Sequence, residues 1–277
     1  MKLTFLGVGS AFTTPAYYQS NMLITARSGK RMLIDCGSDI RFSLPESNLS
    51  AKSSLSSESS LSSEASLLHE SPIRTIDAVY ISHLHSDHVG GLEYLAFGSY
   101  FSPNQGGKTL FMEERLMHEM WNHSLKGGLG CIEGKIMHLT DYFTCCPLVE
   151  NGSFSWEGIR FRLVKMPHIL TGYKDHYSFG LLIGEAEESD WNIFISADTQ
   201  FQPGLITEIA GKAAIIFHDC ETTCLKSWVH AHYEDLCALP DWIKQKIWLY
   251  HYQPNPTQQP EADGFKGFVV KGQEFNF

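Results

Sequence analysis

The segment YISHLHSDHVGGLEYL, residues 80–95, sets His83, His85, Asp87 and His88 within six positions directly after an apolar run. Three of the chain's 13 histidines stand there. A buried strand ending at Ser82 and a helix expected to start near Gly90 would hold this turn from both sides. Neutral imidazoles and a carboxylate are donors that suit Zn, and equally Mn or Fe. Four donors in so short a loop exceed what one ion accepts, so the pattern points to two neighbouring divalent metal ions. HxHxDH is a far more demanding pattern than a lone histidine, which is ordinarily a solvated or core residue.

A two-metal site needs further ligands, and the ends of later strands offer them. RFRLVKMPH ends in His168, WNIFISAD in Asp198 and KIWLYH in His251. Each residue closes an apolar run, so each can lie on one rim of a sheet. Singly they say little; in this order after HxHxDH they form a set.

Short apolar runs between Gly, Pro and Ser punctuation predict strands at KLTFL, NMLITA, RMLID, DAVYIS, IRFRLVKM, YSFGLLIG, WNIFISA, AAIIFHD and KIWLYH. Helical spacing marks GLEYLAFGSYF, MEERLMHEMWNHSL, PGLITEIAG and YEDLCALPDWIKQ. Strands in meanders and in βα alternation imply an α/β chain with two sheets and helices on their outer faces. No linker divides it, so one domain over 1–277 is expected.

A net charge of −10 argues against an extensive nucleic-acid surface. No apolar stretch reaches membrane-span length, and MKLTFLGVGS is too short for a signal-peptide core. Seven cysteines without a CxxC pair suit a reducing, cytoplasmic setting. Residues 47–66 contain eleven serines and a tandem SSLSSE. Such a composition does not offset its ordering entropy, so a loop insertion is expected over 47–71.

These motifs resemble the metallo-β-lactamase superfamily across nearly the whole chain. The resemblance implies an αββα sandwich and a metal-dependent hydrolase. By it, His83, His85 and His168 hold one metal, Asp87, His88 and His251 the other, and Asp198 bridges them, while Asp35 in MLIDCG steadies the site. Asp at position 198, where antibiotic-hydrolysing members carry Cys, argues against lactamase activity. The opening LTFLGVGSAFTTPAYYQSNMLI is similar to tRNase Z and its small phosphodiesterase relatives. FHDCETT and VHAHYEDL resemble two later blocks of that branch, which implies a catalytic group of His230, Asp219, Glu221 and the ligand Asp87. His232 stands where the branch carries Thr or Ser, so the general acid is His230 or His232.

The tRNA-processing members insert a long basic arm between the third and fourth motifs. Here 29 residues separate His168 from Asp198, with Lys174 as the single Lys or Arg among them. The expected substrate is therefore a small phosphodiester such as a cyclic nucleotide. The branch includes phage enzymes that destroy cyclic-mononucleotide immune signals. Tyr173, His176 and Tyr177 in ILTGYKDHYSFG can stack a base or cap the pocket, or form an ordinary surface loop. Alternatives are a tRNA 3′-processing endoribonuclease-like nuclease, a carboxyl-ester, lactone or thioester hydrolase and, last, a non-catalytic binding protein. Self-association as a homodimer is open.

Overall fold

The computed structural model describes residues 1–52, 72–101, 107–185 and 191–277. In chain order the strands are β1 (Lys2–Phe5), β2 (Met22–Thr25), β3 (Arg31–Ile34), β4 (Ala78–Tyr80) and β5 (Lys108–Glu113). A small hairpin follows, β6 (Cys131–Ile132) with β7 (Lys135–Ile136), and then β8 (Phe143–Leu148). The chain next builds a second sheet from β9 (Ser153–Trp156), β10 (Ile159–Ile169), β11 (His176–Glu185), β12 (Trp191–Ile195), β13 (Ala213–Asp219), β14 (Ile247–Tyr250) and β15 (Gly267–Phe268). It ends with β16 (Glu274–Asn276) beside β1.

The first sheet has the order β16-β1-β2-β3-β4-β5-β8 and the second β15-β14-β13-β12-β11-β10-β9. In each, an antiparallel section passes into a parallel one, at β3–β4 and at β12–β13. Alternate residues of one strand serve different layers. Met32, Ile34 and Tyr80 face Phe161, Leu181, Ile195 and Phe217 in the core between the sheets. Leu33, Val79 and Leu110 face Leu92 and Leu95 of the helix Leu92–Tyr100 on the outside. On the second sheet Phe194, Ile216 and Leu249 pack against Ile206 and Ile209 of the helix Pro203–Ala210. Strands covered on both faces read as continuous apolar runs, which is why they stood out in the sequence. The layering is the αββα sandwich.

Several elements differ from the sequence reading. Helix begins at Ser86 rather than near Gly90, with Ser86–Val89 as a separate short turn. The tract expected to loop from residue 47 is helical as far as Lys52, in a helix that starts at Ile40. Residues 53–71, the rest of the expected insertion, lie outside the described residues. Met112 and Glu113 finish β5, and Glu113 caps the next helix by accepting from the Leu116 amide at 2.9 Å. YEDLCALPDWIKQ forms two helices, Tyr233–Cys237 and Asp241–Lys244, because Pro240 lacks the amide that a continuous helix needs. Among the described residues no helix is long and apolar enough to cross a membrane.

Candidate metal centre

All seven sequence-predicted ligands meet at one rim of the sandwich. His83, His85, Asp87 and His88 follow β4. His168, Asp198 and His251 come from the second sheet. One set is His83, His85, His168 and Asp198; another is Asp87, His88, His251 and Asp198; each offers one ligand atom per residue within 4.8 Å of the others. Asp198 belongs to both, with Oδ1 3.2 Å from His88 Nε2 and Oδ2 3.5 Å from His83 Nε2.

The backbone is bent to achieve this. His168 is the extra residue of a β-bulge, since Pro167 pairs with Tyr177 and Ile169 with His176. A bulge re-aims one side chain without ending the strand. Asp35, Ala197 and His251 adopt φ of 61°, 53° and 65°, a left-handed region uncommon for residues other than glycine. All three sit where a strand has just ended, and strain of this kind collects at functional sites. Two glycines let the first two motifs interlock. A Cβ on Gly37 would lie 1.9 Å from the Asp87 carbonyl oxygen, and one on Gly91 would lie 2.4 Å from that of Gly37.

Hydrogen bonds fix which imidazole nitrogen faces inward. His88 Nδ1 donates to Asp35 Oδ2 at 2.7 Å, and His168 Nδ1 donates to the Val229 carbonyl at 2.8 Å. His83 Nδ1 donates to Ser82 Oγ at 3.0 Å, which donates to Asp35 Oδ2 at 2.8 Å. The Nε2 atoms of His83, His88 and His168 are thereby left as donors for an ion, and outer partners of this kind orient metal-binding histidines. Asp35 thus anchors both His83 and His88.

The arrangement fits divalent metal. His85 Nδ1 lies 3.2 Å from His83 Nε2 and 3.1 Å from His168 Nε2, a convergence of ring nitrogens that hydrogen bonding alone satisfies poorly. His88 Nε2 and Asp198 Oδ1, buried and 3.2 Å apart, meet no hydrogen-bond geometry with each other or with any other group. Such orphaned atoms are costly unless something else engages them.

The two sets differ electrically. Burial, with the neighbouring His88, drives His83 well below the usual histidine range, and burial takes His168 down to about 4. Burial acts the same way on His88 and His251, but nearby carboxylates outweigh it. Asp198, Asp87 and Asp35 hold His88 well above its usual value, and Asp198 with Asp219 and Asp87 carries His251 up to about 10.

Beside the second set stands His230. Its Nδ1 donates to Asp219 Oδ2 at 2.8 Å, and its ring centre lies 5.1 Å from that of His168 and 5.0 Å from that of His251. Asp219 raises His230 against the opposing effect of burial. His232 is engaged elsewhere: Nε2 donates to the Thr223 carbonyl at 2.8 Å, and Nδ1 accepts from the Glu234 amide at the start of a helix. Glu221, expected among the acids at His230, instead accepts from Ser227 N, Ser227 Oγ and Thr223 Oγ1 at 2.9, 3.1 and 3.0 Å. Its carboxylate ties down the loop that carries His230.

The fold around this rim has close parallels. The metallo-β-lactamase fold protein YhfI of Bacillus subtilis superposes with a TM-score of 0.68 at 14% identity, covering 99% of this chain and 98% of that one. The short form of human tRNase Z gives 0.64 at 17%, with 100% and 99% covered. A diphosphatase of the PhnP family gives 0.68 at 17%, with 100% and 97% covered. The chain therefore has the metallo-β-lactamase fold. A profile of the family described as Anti-Pycsar protein Apyc1 matches residues 1–275. This chain belongs to the Apyc1 family. Anti-Pycsar protein Apyc1 of Paenibacillus harenae is 32% identical over 271 residues, 97% of each chain. Its namesake from Bacillus phage vB_BveM-Goe7 is 28% identical over 282 residues, 99% of this chain and 97% of that one.

Sequence reasoning missed part of this Apyc1-family site. Ser82, next to His83, ties that ring to Asp35, and the distant Asn21 supports the first motif with Oδ1, which accepts from the Gly37 amide at 2.6 Å. Nothing in their local sequence marks them. The aromatic loop replacing the tRNA arm lines a different feature. His176 and Tyr177 border a cleft of about 250 Å³ with Glu113, Arg115, Lys165 and Lys174, which includes none of the seven predicted ligands, and Tyr173 is fully exposed.

Proposed function

We propose that this chain is a two-metal phosphodiesterase that opens small cyclic nucleotides. The observation that carries the reading is His230, held on buried Asp219 beside two donor sets that share Asp198. One ion would be held by His83, His85, His168 and Asp198, the other by Asp87, His88, His251 and Asp198. Bound there, divalent ions would lower the pKa of an attacking water and would offset charge on the phosphate oxygens.

The remaining task falls to the chain's own residues. A ribose alkoxide leaves poorly without a proton. His230, with Nδ1–H on Asp219, presents Nε2–H to that oxygen. As the P–O bond breaks, the proton passes from Nε2 to the alkoxide, and Asp219 keeps the ring in one tautomer. A positioned acid of this kind is worth roughly 10²–10⁴-fold. Asp35 acts further back, orienting His83 through Ser82 and His88 directly.

The short, cation-poor span between His168 and Asp198 favours a small substrate over tRNA. Its one lysine, Lys174, is paired with Glu119 at 3.0 Å. Phage and bacterial relatives are both named as anti-Pycsar proteins, which agrees with the resemblance to phage enzymes that destroy cyclic-mononucleotide signals. The test is a panel assay of the Zn- or Mn-loaded protein on cyclic mononucleotides, linear diesters, lactones and an unprocessed tRNA. Cyclic mononucleotides should turn over much faster than the rest. Site-specific removal of the tRNA 3′ trailer at physiological salt, at a comparable rate, would overturn the reading.

A further inference from the structure

Trp228 stands out in the loop between β13 and the helix Tyr233–Cys237. It is 74% exposed, although indole is among the most costly surfaces to leave in water. Its backbone has φ of 65°, a strained setting for a bulky residue. The chain is fastened on both sides of it. Ser227 is held by the Glu221 carboxylate through its amide and hydroxyl, and the Val229 carbonyl accepts from His168 Nδ1. Lys226, two residues before it, is drawn to Asp235 at 2.6 Å. One residue from a predicted ligand's partner and two from His230, a large aromatic is thus carried outward on a pinned backbone.

Strain, exposure and anchoring together serve no packing purpose. They present an exposed apolar face on a loop whose backbone is fastened to His168 and to Glu221 and which carries His230 two residues on. We propose that Trp228 is the stacking platform for the nucleobase of the substrate, and that Glu221 is a positioning residue that holds the platform. This rests on the nucleotide reading above. Every base offers a π-face, so such a platform adds affinity while tolerating differences between bases.

The experiment titrates the metal-loaded protein with AMP, by calorimetry and by tryptophan fluorescence. Wild type should bind saturably with quenching, and Trp228→Phe should lose the quench while keeping part of the affinity. Trp228→Ala should weaken AMP roughly 5- to 150-fold, the range of one base stack. It should raise KM for cyclic AMP by a similar factor with kcat little changed, and leave a base-free ribose 3′,5′-cyclic phosphate unaffected. Because Trp228 is exposed, both variants should keep the wild-type melting temperature. No saturable AMP binding by wild type, or equal affinity in Trp228→Ala, would overturn the proposal. So would a Trp228→Ala chain that changes sedimentation but not AMP affinity, which would assign the indole to a second copy. If wild type hydrolyses no cyclic nucleotide, the phosphodiesterase reading fails, and the AMP titration still decides the platform.

Discussion

Asp219 holds His230 Nδ1 at 2.8 Å with one oxygen and faces His251 Nδ1 at 3.2 Å with the other. One fully buried carboxylate therefore serves a candidate proton donor and a candidate ligand together. Burial alone would raise its pKa, but His230 and His251 bring it to about 2, so it stays charged under ordinary conditions.

This link separates two variants. His230→Ala should slow cyclic-nucleotide opening roughly 10²–10⁴-fold yet largely spare bis(p-nitrophenyl) phosphate, whose leaving group needs no proton. Asp219→Asn should slow both substrates, because His251 loses its partner as well. Equal losses for His230→Ala on both substrates would make it a phosphate-positioning residue. His232→Ala should leave the chemistry intact and cost about 1 kcal/mol as a lost helix cap, read by chemical denaturation.

Asp198 is common to both donor sets. Elemental analysis of wild type should find about two divalent ions per chain. Asp198→Ala should fall well short of that and lose hydrolysis, with the far-ultraviolet circular dichroism of the sandwich retained. Trace metal in wild type grown with added Zn and Mn would refute the two-metal reading.

Ions bind only deprotonated imidazole, so the two sets should load differently. Burial holds His83 and His168 toward the neutral form, while nearby carboxylates hold His88 and His251 toward the protonated one. Filling the second set should release more protons than filling the first, readable by calorimetry in buffers of different ionisation enthalpy. In chelator-stripped protein the raised His251 contributes stability that is complete below its unfolded value of about 6.5. That contribution is lost as pH climbs through about 10. Denaturation midpoints measured with chelator present should therefore fall across that window.

Gly37 offers a test of the interlock. A methyl group there meets the Asp87 carbonyl at 1.9 Å, and backbone cannot yield as a flexible side chain would. Gly37→Ala should destabilise by about 1–3 kcal/mol and reduce metal content, because the displaced loop carries Asp87 and His88. The melting temperature and elemental analysis of one preparation check both effects.

The donor set was legible because each ligand sits at the end of an apolar run, and such runs are the clearest strand signals. The sandwich was legible for the same reason. Seven strands escaped, β5–β9, β15 and β16. In TLFMEERLMHEM the end of β5 passes into a helix without a break in apolar spacing, while β8, with Pro147 and two cysteines, and the half-exposed β9 lack a buried alternation. The role of Glu221 was misread because its partners, Ser227 and Thr223, show nothing of a folded loop in sequence. Trp228 carried no signal at all, since a lone tryptophan in a loop looks the same whether packed or presented.

The candidate centre is divided between the sheets: four of its donors hang from the end of β4, and three from β10, β12 and β14. The Tyr80 hydroxyl donates to the Phe179 carbonyl at 2.8 Å, and the Phe179 amide to that of Ser82 at 3.1 Å, which locks the two sheets beside that seam. Ions placed there would act as rivets between the two halves, adding to their packing and those few hydrogen bonds. It follows that the spacing of the donors is a gauge of sheet alignment. A substitution deep in the sandwich that lets one sheet shear against the other should detune the chemistry while every ligand remains in the chain.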